Sequence, residues 1–260
     1  MTNTPTNLDK IENSFQDTTK LLFGKALSSF QSYEEWITKR IPKINEYSSS
    51  LSNAKTYMPE HYFFKEIPRE KLAAFEDLKK ASEQKVSPIS LEAPFKDFLK
   101  EVSKISIFIP DFVEGNNMNI SETTVYLDSI NLFRCFDMFG CKSCAYTFSA
   151  FGEGLFGCYR ILNSKFLVHC YNIENVTACF EMDNARNCSN SFFCHNVENV
   201  HESMFCFNTK SKRCAIGNVE VGREKYTEMR NLLMNKLLPE LESKKNLELD
   251  IYNLLNSKKP

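Results

Sequence analysis

No stretch of this 260-residue chain approaches the roughly 20 apolar residues that a bilayer-crossing helix requires. Its opening, MTNTPTNLDKIENSFQ, has neither the basic start nor the apolar run of a secretion signal. Charge of one sign is lacking too, since 32 basic residues meet 33 acidic ones for a formal net charge of −1. These absences point to a cytoplasmic protein without a membrane role, and argue against a nucleic-acid binder with a dominant phosphate-contact surface. No P-loop, GxGxxG, GxSxG or HExxH string is present, which removes the common nucleotide, hydrolase and zincin signatures. All 10 cysteines fall between Cys135 and Cys214. In a cytoplasmic setting the expectation for them is reduced, buried thiols that serve packing.

What the chain does contain is a repeat. Residues 172–183 read NIENVTACFEMD, 184–195 read NARNCSNSFFCH and 196–207 read NVENVHESMFCF, a period of twelve. Similarity also recurs at twenty-four, where HCYNIENV (169–176) returns as FCHNVENV (193–200). One column is apolar (Phe156, Val168, Phe180, Phe192, Met204, Ile216), and two places on lies a column of Cys158, Cys170, Met182, Cys194 and Cys206. Spacing of two puts both columns on one face of a strand. Asparagine fills two further columns (Asn172, Asn184, Asn196, Asn208 and Asn163, Asn175, Asn187, Asn199), where its tolerance of left-handed backbone suits corners and its stacked amides suit a ladder.

Short strands, Asn corners and stacked identical residues predict a right-handed parallel β-helix, that is, a β-solenoid. Asn-Gly and Asp-Gly pairs, which tight hairpins favour, are missing from the repeats, and this counts against an antiparallel meander. A twelve-residue coil encloses too thin an interior for inward phenylalanines, so twenty-four residues per coil are expected, with Phe156 on Phe180 on Met204, Cys170 on Cys194 and Glu174 on Glu198.

Before the solenoid, residues 1–104 read as a helical N-terminal region. Leu8, Ile11, Phe15, Leu22 and Phe30 mark an amphipathic helix over 8–30. Ser32 and Glu35 suggest a capping box for a short helix carrying Trp36 and Ile37. Residues 43–67 show no period, and helices are expected over 68–84 and 94–104. The solenoid is placed at 105–221. Residues 222–260 carry the stripe Tyr226, Met229, Leu233, Leu237 up to Pro239, then a last helix from Leu247, and these C-terminal helices are expected to cap the open solenoid end.

Chemistry-bearing groupings are few. Cys141 and Cys144 have CxxC spacing, with Cys135 six residues earlier, and these three are the candidate metal ligands, zinc being the ion such spacing suits. A second CxxC or CxxH is absent, so His169 or His195 would have to complete the site. A carbohydrate-active β-helix would need acids and bases grouped on one outer sheet. The outward candidates Glu181, Asp183, Arg186, His195, His201 and Lys210 form no paired-carboxylate or Asp–Arg group at either spacing.

Near the last repeat, Cys206-Phe207-Asn208-Thr209-Lys210-Ser211-Lys212-Arg213-Cys214-Ala215-Ile216-Gly217-Asn218, followed by Glu224-Lys225-Tyr226, resembles the C-terminal signature of Cys- and Asn-rich prokaryotic repeat proteins, roughly CFGLxNKxYCILNK then EEY. It departs at Asn208-Thr209 and Cys214-Ala215. In architecture alone, a β-helix between helical flanks is similar to the iron–sulfur assembly scaffolds and the bactofilin-like filament formers. The expected function is a non-catalytic scaffold that binds a protein partner or a second copy of itself. The alternatives are a carbohydrate-active or carbohydrate-binding β-helix, and a zinc or iron–sulfur protein.

Overall fold

The structure is a computed structural model that describes residues 6–39, 41–87, 94–153, 155–157, 167–168, 179–183 and 185–254. Helix α1 (Asn7–Phe23), a 3₁₀ turn (Phe30–Tyr33) and α2 (Glu34–Thr38) precede an antiparallel pair, β1 (Ile44–Ser48) and β2 (Lys55–Pro59). Short α3 (Tyr62–Lys65) and α4 (Leu78–Ser82) follow, then α5 (Phe95–Ile105). The coiled region begins with β3 (Val113–Glu114), β4 (Met118–Ser121), β5 (Thr124–Leu127), β6 (Ile130–Phe133), β7 (Phe136–Ala145) and β8 (Phe148–Glu153). It continues through β9 (Leu155–Phe156), β10 (Leu167–Val168), β11 (Cys179–Asp183), β12 (Phe192–His201) and β13 (Phe207–Arg213), all joined in parallel. An antiparallel pair, β14 (Ala215–Ile216) and β15 (Val219–Glu220), ends it before α6 (Arg223–Lys244). This is the expected parallel β-solenoid with helices at both ends of the chain.

The coil holds twelve residues, not the twenty-four expected. Phe156 pairs with Val168, Val168 with Phe180, Phe180 with Phe192, Phe192 with Met204 and Met204 with Ile216, each twelve residues on. A local rule makes this possible. Left-handed backbone recurs at every third residue, as at Asn187, Asn190, Phe193, Asn196, Asn199, Glu202, Phe205, Asn208, Ser211 and Cys214. Each such residue turns the chain through a corner, the next points into the coil and the one after points out. Four triplets close a coil. The period-two rule of a flat strand fails here because a corner separates the two columns.

The phenylalanine column therefore lies outside the wall, and the objection that a twelve-residue coil cannot hold Phe is met because, among the described residues, its buried interior holds none. Inside are small or slender residues, among them Leu132, Cys135, Met138, Cys141, Cys144, Met182, Ala185, Cys194, Val197, Val200 and Cys206. Inward hydroxyls also complete the backbone ladder: Ser203 Oγ donates to the His201 carbonyl at 2.8 Å and accepts from the Ala215 N–H at 3.1 Å. Thr123 does the same with Ser121 and Cys135. Asparagine behaves as expected at the corners: Asn187, Asn196, Asn199 and Asn208 are all left-handed, and Asn196 Nδ2 donates to Asn208 Oδ1 at 2.9 Å. Asn163, Asn172, Asn175, Asn184, Cys158, Cys170 and Glu174 lie outside the described residues.

A second core covers the outer Phe column. Helix α1 runs along it, with Phe15 edge-on to Phe156 at 5.3 Å between centroids and Phe23 edge-on to Phe180 at 4.9 Å. Trp36 of α2 also meets Phe180, at 5.8 Å. Tyr226, Met234, Leu237 and Leu241 of α6 join the same cluster. Each fully buried side chain of this size stabilises by about 1.5–3 kcal/mol, so the helices and the outer column need one another. The packing is tight at Gly157 (φ 74°), where a Cβ would stand 2.2 Å from the Ile37 carbonyl oxygen.

Several local expectations are corrected. Helix α1 stops at Phe23, where Gly24 (φ 78°) forms a left-handed C-cap, and it starts at a capping box of Thr6 and Asp9. The Ser32 box does not form; Ser32 Oγ donates to the Ser29 carbonyl, and Tyr33 stands at the N-cap of α2 without a side-chain bond. Residues 68–84 form 3₁₀ turns (Arg69–Lys71, Phe75–Asp77) and α4 in place of one helix, since a bridge between Leu72 and Phe108 holds the first turn extended afterwards. The aperiodic 43–67 contains β1 and β2. Helix α6 passes through Pro239 to Lys244 because Leu237 and Leu241 are buried on either side of it. The helix expected from Leu247 is a run of turns as far as Leu254. Contacts of α6 are lateral: Tyr226 Oη donates to the Asn190 carbonyl and Arg230 to that of Leu22. It covers a side of the solenoid, while β14 and β15 close the end.

Candidate functional site

The three candidate metal ligands are all inside the coil and fully buried. Cys135, Cys141 and Cys144 occupy different inward positions, and each thiol donates to the carbonyl two residues back, that of Phe133, Phe139 and Lys142, at 3.4 Å. Burial pushes the Cys135 thiol up to about 12, the direction of a packed, protonated side chain. His195 does not join them. It lies on the outer wall, where Nδ1 donates to Asp183 Oδ2 at 2.6 Å. Among the described residues no group of three or more His, Cys, Asp or Glu is arranged to hold a metal ion.

The described thiols further along come closer together. Met182, Cys194 and Cys206 stack in one inward column, as the pairing of Met182 with Cys194 and of His195 with Phe207 fixes. Cys179 Sγ is 3.0 Å from Met182 Sδ. Cys194 and Cys206 are neighbours along this column, and their interaction pulls Cys206 down to about 7 and pushes Cys194 up, while each thiol donates to the carbonyl two residues back.

On the outer wall, twelve-residue stacking turns the expected like-charge corner into an alternating ladder. Glu198 pairs with Arg186 and with Lys210, whose Nζ is 2.6 Å from Glu198 Oε2. The Lys210 bond holds the Glu198 carboxyl below its usual value. His201 bonds Ser189 Oγ through Nδ1 at 2.8 Å. Glu181 is a buried corner, its carboxylate accepting from the Ile251 N–H at 3.4 Å. Tyr252 Oη donates to Asp183 Oδ2 at 3.0 Å, so the C-terminal turns are fastened over the Asp183–His195 pair. The described outward candidates thus bond one another, a neighbouring coil or the tail.

Sequence reasoning missed one cluster. Arg134 Nε donates to Glu122 at 2.5 Å and Nη1 to Glu34 at 3.0 Å, tying α2 to the wall. Tyr146, one coil beyond Arg134, has its phenol pushed up by burial and by the adjacent Glu34. Glu34, Arg134 and Tyr146 line a cleft of about 710 Å³ beside Lys39, Lys43 and Asn246. Glu122, Arg134 and Tyr146 are twelve apart, the one signal that a twelve-residue coil would have brought them together.

Much of the apolar surface left uncovered lies toward the N-terminal half, although Val219, Met229, Leu232 and Tyr252 are exposed as well. Helix α5 buries no residue, and Phe95 (71%), Phe98 (40%) and Leu99 (50%) are exposed on one stripe, with Phe95 and Phe98 stacked at 5.7 Å. Phe108, Phe112 and Met118, at the start of the coiled region, are exposed as well. No described helix is long and apolar enough to cross a membrane. Comparison with known protein families, with curated proteins and with solved structures gives no match for this chain.

Proposed function

We propose that the protein is a non-catalytic interaction scaffold whose docking surface is the apolar stripe of α5. The observation that carries this is the exposure of Phe95, Phe98 and Leu99 on an amphipathic helix with no buried residue, in a chain whose other long helices, α1 and α6, each bury several apolar side chains. A helix so patterned is normally stabilised by a partner for its apolar face. The outer wall supports the non-catalytic part of the reading, because its acids and bases neutralise one another along the coil axis.

The partner is a protein surface or a second copy of the chain, met as a helix seated in an apolar groove. The test compares wild type with a Phe95→Glu, Leu99→Glu variant by sedimentation velocity over a concentration range, and by pull-down with α5 intact or altered. Loss of a dimer or of a captured partner in a variant whose circular dichroism is unchanged supports the surface. A wild-type chain that stays monomeric and captures nothing that the variant does not also capture removes it.

A further inference from the structure

The sulfurs stacked in the C-terminal part of the coil are more than a thiol packing pattern requires. Met182, Cys194 and Cys206 follow one another along the axis, Cys179 touches Met182, and all four are fully buried. We propose that the step from Cys194 to Cys206 binds a soft monovalent cation, cuprous copper, between the two sulfurs. The site is independent of the surface on α5.

Geometry selects the ion. Neighbouring parallel strands lie about 4.8 Å apart. Two metal–sulfur bonds of about 2.3 Å placed end to end span about 4.6 Å, so a two-coordinate ion fits between in-register thiolates without moving the wall. Zinc requires four donors converging as a tetrahedron, and a single axial column cannot supply that arrangement. Donor chemistry agrees. Thiolate and thioether ligands favour Cu(I), while the nearest imidazole and carboxylate, His195 and Asp183, lie on the other side of the wall.

Binding replaces two S–H bonds by two Cu–S bonds and releases two protons, leaving a bis-thiolate complex of charge −1. The Lys212 ammonium lies near enough to offset part of it. The thiols give up only weak S–H donations to the carbonyls of Phe192 and Met204, at 3.4 and 3.6 Å. At the same repeat position the sequence places Cys170 and Cys158, outside the described residues.

The test is an oxygen-free titration of the reduced full-length protein with cuprous ion delivered as its bicinchoninate complex, on folded protein and again during refolding from urea. The expected result is one ion per chain withdrawn from the chelator and a sulfur-only shell in copper-edge X-ray absorption. Cys194→Ser and Cys206→Ser should each weaken uptake by more than the roughly 10–100-fold that losing an outer-shell partner costs. Cys135→Ser and Cys144→Ser should leave it unchanged. Absence of uptake under both conditions, nitrogen or oxygen donors in the spectrum, or undiminished affinity in the Cys194 and Cys206 variants overturns the site. If a serine variant does not fold, wild-type protein labelled with ¹³C at cysteine Cβ decides. Copper-induced shifts at Cys194 and Cys206 support the site, and shifts confined to other cysteines refute it.

Discussion

Phe180 and Met182 are two residues apart, yet the Phe180 ring packs on Phe23 and Trp36 outside the wall while the Met182 sulfur lies inside it. Glu181 between them has φ 49°, and that single left-handed residue reverses the face. The same inversion, repeated at every corner, sorts large aromatics to the outer core and small thiols and hydroxyls to the inner one.

The outer core is thus energetically the heavier of the two for each residue removed. We expect Phe180→Ala to destabilise the protein by about 3–5 kcal/mol in urea unfolding, the range for a buried phenylalanine. Phe23→Ala should cost a comparable amount, and the double variant should show a coupling of about 0.5–1.5 kcal/mol from the edge-to-face pair. A loss below about 1 kcal/mol for Phe180→Ala would mean that its ring is not packed under the helices.

Corner residues carry a different cost. Asn199 has φ 53°, and its amide bonds Ser211 Oγ at 3.4 Å and His201 Nε2 at 2.9 Å. Asn199→Val places a β-branched residue in left-handed backbone and removes both bonds, so thermal unfolding should show a loss of about 1–3 kcal/mol. Asn199→Gly keeps the backbone free and should lose less. Equal stability of the valine and glycine variants would place the cost elsewhere.

Asp111 provides a pH-dependent signature. Burial raises its carboxyl above the usual value, against bonds from the Thr56 and Thr124 hydroxyls that lower it, and the nearby Glu76 raises it further. The folded state therefore binds this proton more tightly than the unfolded state does. Its stabilising effect is complete below the unfolded value of about 3.9 and is lost as pH rises through the folded value. Asp111→Asn should accordingly raise the melting temperature at pH 7 and match wild type at pH 3. A variant less stable than wild type at pH 7 would show that the hydroxyl bonds to the carboxylate outweigh its burial.

Much of the architecture was legible from the repeat, because a solenoid writes its coil length into the chain. The Asn columns marked corners, and the Cys column marked an inward position. Two things were not legible. Corners at Phe193, Phe205, Tyr146 and Val125 carry residues that resist left-handed backbone, so residue type could not reveal that every third position turns. Without that, Phe180 and Met182 read as one face, and the coil was doubled to make room. The bond from Arg134 to Glu34 depended on where α2 docks, a long-range relation with no local signal. The β1–β2 pair was hidden for the same reason, since its strands answer to one another and not to any period.

The C-terminal helix offers the last prediction, because its role follows from where it lies. Tyr226, Met234, Leu237 and Leu241 share a core with Phe180, Phe192 and Met204, and the end of the coil is closed separately by the pair β14 and β15. Asn218 Oδ1 accepts the Phe207 N–H at 2.8 Å and Glu220 Oε1 the Arg213 N–H at 2.9 Å, standing in for a further coil at the exposed edge. Deleting residues 223–260 leaves that closure in place but strips the lateral face, exposing the outer Phe column and the inner side of α1. We expect the shortened chain to associate through this apolar face, giving heterogeneous oligomers in sedimentation velocity at concentrations where the full chain gives one species. Leu237→Asp together with Leu241→Asp in the full chain should do the same while keeping α6 present. A truncated chain that sediments as a single folded monomer with unaltered melting would show that α1 and α2 alone suffice to cover the column, and that α6 serves some purpose other than completing the core.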